Sequence, residues 1–94
     1  LVVDHGAEQA VAQQGRSLLP IGVVAMRGNF QKGDVVVVQD EAGLEIGRGL
    51  TNYGAVELRK IKGLRSDEIA AVLSHCPYVE VIHRDNLVVT SREP

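Results

Sequence analysis

Val35-Val36-Val37-Val38-Gln39-Asp40-Glu41-Ala42-Gly43-Leu44-Glu45-Ile46-Gly47-Arg48-Gly49-Leu50-Thr51 is the stretch on which the fold turns. Its four consecutive valines have high β-propensity, and such an uninterrupted run suits a strand buried on both faces or closed into a barrel. Asp40-Glu41-Ala42-Gly43 supplies a polar turn, after which Leu44, Ile46 and Leu50 alternate loosely with polar or small residues. The two segments therefore read as a hairpin. Gly47 and Gly49 within the second segment suit a bulge or the sharp bend of a barrel corner.

Upstream of the hairpin, Leu1-Val2-Val3 reads as a short strand, and Asp4 has the side chain to cap a helix in which Ala7, Ala10, Val11 and Gln14 fall at helical spacing. Gly15 closes that helix. Residues 21–26 form the next strand, followed by turn-forming Gly28-Asn29 and Lys32-Gly33-Asp34 around Phe30.

Downstream, residues 55–61 turn helical, with Leu58 and Ile61 on one face and Gly63 as the stop. Ser66 is expected to cap a further helix whose first turn holds Asp67 and Glu68. Ile69, Val72, Leu73 and Cys76 then step i, i+3, i+4, i+7, so Ile69, Val72 and Leu73 are expected to face the core. A fully buried Leu73 would make Leu73→Ala cost about 2–5 kcal/mol. Pro77 stops the helix, residues 78–82 and 87–90 make two last strands around Arg84-Asp85-Asn86, and residues 91–94 read as a frayed tail. The expectation is a mainly β domain over residues 1–90, with about six short strands and two or three short helices in a small mixed or partly closed barrel.

Ninety-four residues allow one core, enough to fold without metal or disulfide but a poor size for a whole enzyme. The single cysteine, Cys76, closes no intrachain bridge, which points to a reducing, cytoplasmic setting. Neither a membrane span nor a signal peptide is legible. Leu1 opens directly in a strand without an initiator methionine, as expected of a piece of a longer polypeptide. Twelve acidic residues against ten basic ones give a net charge of −2, which disfavours strong nonspecific binding to nucleic acid. The one local basic patch is Arg59, Lys60, Lys62 and Arg65, either a phosphate-tracking surface or a solvated helix face. Phe30, Tyr53 and Tyr78 are too few for a base-stacking platform.

Motifs for catalysis are incomplete. Gly28-Asn29-Phe30-Gln31-Lys32-Gly33 opens like a phosphate-binding loop, but Asp34-Val35 stands where Lys and Ser or Thr must follow, so a glycine-built turn is the expected reading. Gly43, Gly47 and Gly49 miss the dinucleotide spacing. His75 and Cys76 are adjacent and do not face each other on a helix, and with His5 and His83 they show no metal-ligand spacing. His83 is expected to donate a structural hydrogen bond in the last turn. No catalytic residue, cofactor site or metal ligand is expected in this chain. Gly6 is different: a glycine in a first helical turn implies the close approach of another backbone, either a nucleic-acid phosphate or a neighbouring strand.

Val3-Asp4-His5-Gly6-Ala7 leading into a helix, with Gly15-Arg16-Ser17-Leu18-Leu19-Pro20-Ile21-Gly22-Val23, resembles the opening of a PUA domain, a small pseudo-barrel named after pseudouridine synthases and archaeosine transglycosylases. Gly47-Arg48-Gly49-Leu50-Thr51-Asn52-Tyr53, Leu58-Arg59-Lys60-Ile61-Lys62-Gly63, Ser66-Asp67-Glu68-Ile69 and Ile82-His83-Arg84-Asp85-Asn86-Leu87-Val88 resemble the C-terminal domain of bacterial glutamate 5-kinases. Gly54-Ala55 and His75-Cys76-Pro77 depart from that pattern.

The resemblance implies a noncatalytic accessory module of an enzyme that phosphorylates glutamate with ATP and magnesium, the first step of proline biosynthesis. The ATP and magnesium would belong to an amino-acid-kinase domain elsewhere on the same polypeptide. That domain would be the first partner of this one, in a homo-oligomer and away from membranes. The alternative implied by the PUA opening is RNA binding, which maps onto Gly6, Ala7, Gly15 and Arg16, with Arg59, Lys60, Lys62 and Arg65 as further candidates.

Overall fold

The computed structural model describes residues 1–74 and 77–91. The valine run forms β3 (Val35–Gln39) and pairs antiparallel with β4 (Glu45–Leu50) through the Asp40 turn. Asp40 builds that turn itself, because its Oδ1 accepts the N–H groups of both Ala42 and Leu44 at 2.9 Å. In front of the hairpin lie β1 (Val2–Val3), α1 (His5–Ala12), a 3-10 turn at Pro20–Gly22 and β2 (Val23–Ala25). After it come α2 (Ala55–Ile61), α3 (Ser66–Leu73), a second 3-10 turn at Arg84–Asn86 and β5 (Leu87–Val89). The sheet order is β2-β1-β3-β4-β5, with β1 parallel to β3 and the other neighbours antiparallel. It is a mixed sheet, as the sequence predicts.

Five of the six expected strand segments join this sheet. The sixth, residues 78–82, contributes a single bridge between Leu18 and Ile82. Its backbone groups go to irregular partners: Leu18 exchanges hydrogen bonds with Val81 and Ile82, while Asn52 N–H donates to the Val81 carbonyl at 2.7 Å. Neither neighbour is a strand, so no ladder propagates, although Val81 and Ile82 are fully buried.

The core collects Val3, Val11, Val38, Ile46, Tyr53, Leu58, Ile61 and Ile69 from the strands, the helices and the loop that leads into α2. Tyr53 joins it with its hydroxyl satisfied, accepting from the Tyr78 N–H and donating to the Tyr78 carbonyl. In α3, Ile69 is buried but Val72 is 45% exposed, contrary to the expected inward stripe. Along the helix Ile69 is buried and Leu73 half-buried, while Ala70, Ala71 and Val72 between them are exposed. Leu73 is half-buried, which lowers the expected cost of Leu73→Ala below that of a fully buried leucine. Ser66 is the first helical residue of α3 rather than its cap; Arg65 holds the cap position, and its N–H donates to Glu68 Oε1 at 2.9 Å. Cys76 lies outside the described residues.

β4 carries the bulge the sequence suggests, beside Gly47 and not on a glycine, while Gly47 and Gly49 let the Val88 and Asn86 carbonyls come close. Val38 pairs with Gly47 and Gln39 with Glu45, so Ile46 is the extra residue of a bulge. The bulge resets the alternation: Ile46 and Gly47 both point inward, and Glu45 and Arg48, three apart, share the outer face. There they form a two-pronged pair, Nε to Oε2 and Nη2 to Oε1 each at 3.0 Å, with the Thr90 hydroxyl donating to Oε2 at 2.7 Å. The hydrogen bonds from Arg48, then Thr90, hold the Glu45 carboxyl below the ordinary glutamate range. A lowered folded-state value means this contribution to stability is complete above the unfolded glutamate pKa of about 4.3 and is lost as pH falls through the folded value. A carbon-detected NMR titration should therefore place the Glu45 midpoint below about 4.3, and Arg48→Ala should move it up towards that value. A midpoint unchanged by Arg48→Ala would contradict the pairing.

Candidate functional site

Asp4 organises the start of α1. Its Oδ1 accepts the Ala7 N–H at 2.8 Å as the expected cap, while its own N–H donates to the Gly22 carbonyl at 3.0 Å. One residue thus caps the helix and ties it to the 3-10 turn. Contact there is so close that a Cβ on Gly22 would lie 2.4 Å from the Ala7 Cβ. At the other end of α1, the Arg16 N–H donates to the Ala10 carbonyl at 2.9 Å, and Gly15 takes up the positive φ of 64° that the reversal needs.

Between α1 and the chain that returns from it lies a cleft of about 480 Å³. Gly6, Ala7 and Ala10 form one wall, Leu18, Leu19 and Ile21 another, and Arg16 stands at the cleft with Asp4 and Glu80. Three of the expected residues, Gly6, Ala7 and Arg16, therefore meet in one place, with Gly15 next to them. The cleft is mainly apolar, and its two carboxylates outnumber its one guanidinium. That balance opposes a bare phosphate and suits a ligand with an apolar body and mixed hydrogen-bonding groups.

A Cβ on Gly6 would meet only Asp4 Oδ1, at 3.6 Å. Among the described residues no neighbouring strand approaches it, so that half of the expectation is corrected: the close approach is made by Gly22, against the Ala7 side chain. Gly22, Ser17 and Glu80 were not singled out from the sequence as site residues. For the first, the expected strand over residues 21–26 is corrected: Pro20 starts a 3-10 turn that takes in Ile21 and Gly22 and leaves Val23–Ala25 to the strand, whereas Glu80 reaches the cleft from a distant irregular segment.

The basic residues stand apart from the cleft lining. Arg59, Lys60, Lys62 and Arg65 are all exposed, along α2 and the corner that leads into α3. Two are already engaged: Arg59 Nη2 donates to the Gly28 carbonyl at 3.1 Å, and Arg65 pairs with Asp67 at 3.4 Å and with Glu68 at 3.8 Å. Lys60 and Lys62 make no side-chain hydrogen bond or ion pair among the described residues. At the corner the Gly63 N–H donates to the carbonyl of Pro20, which lies between the cleft residues Leu19 and Ile21, at 2.7 Å.

The loop that opens like a phosphate-binding loop is a turn closed by its own aspartate. Asp34 Oδ2 accepts the Gln31 N–H at 2.8 Å, and the Gly33 N–H donates to the Thr51 carbonyl at 2.8 Å. Lys32 Nζ donates to the Tyr78 hydroxyl, at the oxygen end of the ring. His5 lies 3.6 Å from Glu8. His83 accepts rather than donates: its Nδ1 takes the Asp85 N–H at 3.1 Å and caps the second 3-10 turn. His75 lies outside the described residues, and among those described no group of three or more His, Cys, Asp or Glu is placed to hold a metal ion. No helix of the described residues is long and apolar enough to cross a membrane.

A family model described as the PUA domain matches residues 1–73. A glutamate 5-kinase of Cyanothece sp. is 52% identical over 90 residues, covering 96% of this chain and 24% of the relative. Another, of Synechocystis sp., is 54% identical over 89 residues, covering 95% of this chain and 24% of the relative. The chain thus spans about a quarter of the length of the curated relatives it matches. Among solved structures, a PUA domain of Aeropyrum pernix K1, crystallised as a tartrate complex, superposes with a TM-score of 0.62 at 34% identity, covering 65% of this chain and 33% of that one. A conserved PUA domain protein of Thermoplasma acidophilum gives a TM-score of 0.60 at 33% identity, covering 65% and 40%.

Proposed function

The chain belongs to the PUA domain family, and from that premise we propose that residues 1–90 work as a noncatalytic accessory module of a glutamate 5-kinase, contacting or regulating the part that phosphorylates glutamate. The observation that carries this reading is the identity of about one half to glutamate 5-kinases along nearly the whole chain. Its support from the site is chemical. In the cleft beside α1 the Ser17 hydroxyl accepts the Arg84 N–H at 2.8 Å and is hydrogen-bonded to no base among the described residues, and the loop at Gly28 has an aspartate where a phosphate would need a lysine. ATP and magnesium would be handled by the larger part of such an enzyme, outside this chain.

The 94-residue chain alone is therefore expected neither to phosphorylate glutamate nor to hydrolyse ATP, measured by coupled ADP release. Turnover that persists through purification would overturn the noncatalytic reading. In a complete glutamate 5-kinase carrying this domain, deleting it should leave phosphorylation measurable and change assembly or feedback inhibition. A deletion without effect on either would overturn the accessory role.

A second reading, RNA contact, is favoured by one feature: the first turn of α1 is bare at Gly6, with Arg16 beside it. The acidic residues of the cleft limit it. Binding through Lys60 and Lys62, the two unengaged bases, would release about one counterion each and give a log-log salt slope near −1.4 on single strands, no steeper than about −3 if all four bases took part. The expected result is weak, sequence-tolerant association at roughly 10⁻⁴ to 10⁻⁶ M, mostly removed by replacing Arg59, Lys60, Lys62 and Arg65 with alanine. Nanomolar binding to one defined RNA would promote this reading over the first.

A further inference from the structure

Sheets with one solvated face normally alternate apolar inward and polar outward positions. Here three outward positions beside the Glu45–Arg48 pair are apolar too. Val35 on β3 and Val88 on β5 are each 66% exposed, and Leu50 on β4 is 41% exposed. Val35 pairs directly with Leu50, and Val88 pairs with Arg48 two residues away, so Leu50 has Val35 as its direct and Val88 as its diagonal neighbour. With Gly49 between them they line a shallow groove of about 320 Å³.

The charge on this face is already neutralised. Arg48 is held by both oxygens of Glu45, and Thr90 donates to the same carboxylate. A nucleic acid needs unpaired cations, which the described residues of this face do not offer. A protein surface can cover it without burying an unpaired charge, because the pair brings its own counterion.

We propose that this outer face of β3, β4 and β5 is where the domain docks on the remaining part of its own glutamate 5-kinase polypeptide, an inference that rests on the accessory reading above. Relatives matched along nearly the whole of this chain devote only about a quarter of their length to the match. Three quarters of each relative is therefore on hand at one-to-one stoichiometry and high effective concentration, and a tethered contact of this kind holds with little area. A second copy of the domain docking freely would need roughly 1,200–2,000 Å² of buried surface, more than a face of three exposed side chains offers.

The test uses a complete glutamate 5-kinase carrying this domain, with Val35→Lys and Val88→Lys combined, and Val56→Lys as the control. Val56 is 64% exposed on α2, away from the sheet. Limited proteolysis should release the domain about tenfold faster from the double variant, since cleavage tracks the undocked population, and at the unchanged rate from the control. The milder pair Val35→Thr and Val88→Thr, which keeps shape and β-propensity, should accelerate release by a smaller factor in the same direction. Equal release rates in all four proteins would overturn the docking face, as would a loss of oligomers in the double variant without faster release, which would assign the face to a second copy. If deleting the whole domain changes assembly or feedback while these variants change nothing, the accessory role stands and only this face falls.

Discussion

Ile69→Ala is expected to destabilise the domain by about 2–5 kcal/mol, and Val72→Ala, three residues along the same helix, by less than about 0.5 kcal/mol. Ile69 is 0% exposed and belongs to the core between α2, α3 and the sheet, so removing its outer carbons leaves a cavity that fixed neighbours cannot fill. Val72 is 45% exposed and leaves no cavity. A domain of this size has on the order of 5–14 kcal/mol of total stability, so the first substitution removes a large fraction of it. Urea unfolding followed by circular dichroism measures both changes as midpoints at constant slope. Equal losses at the two positions would mean that α3 lies on the body with a broader face than the structure gives it.

That contrast also marks where the sequence stopped being legible. The hairpin could be read because four valines and an Asp-Glu-Ala-Gly turn each favour the same local structure, and α1 because Asp4 caps in the way aspartate does. The width of the stripe that α3 buries is set by what packs against it, and periodicity alone assigns Val72 and Ile69 to one face. Residues 78–82 carry strand-forming residues, yet their backbone partners are Leu18 and Asn52, which no local pattern could name. The site divides the same way. Gly6, Ala7 and Arg16 could be anticipated because one helix and its return loop bring them together. Glu80, which tips the charge of the cleft, comes from far along the chain, and the engagement of Arg59 by the Gly28 carbonyl spans 31 residues. The cations of a sequence patch are counted before their partners are known.

Gly49→Ala should cost about 1–3 kcal/mol or more, a large penalty for adding one methyl group. An added Cβ would stand 2.5 Å from the Asn86 carbonyl oxygen, 2.7 Å from Ile82 Cγ2 and 3.2 Å from the Leu87 Cα. The first and last of these belong to backbone and cannot rotate away, so β5 must move off β4. That displacement strains the ladder in which Gly49 pairs with Leu87 and Gly47 with Val89. Gly47→Ala meets the Val88 carbonyl at 2.8 Å and should act in the same direction. Lys60→Ala, at an exposed position of α2 whose side chain is unengaged among the described residues, serves as the control and should lie within about 0.5 kcal/mol. Because the nearest obstacle is a main-chain oxygen, trimming Ile82 to valine should not rescue Gly49→Ala. Full rescue by Ile82→Val, or a urea midpoint for Gly49→Ala equal to that of Lys60→Ala, would show that β5 is not held against β4 through these glycines.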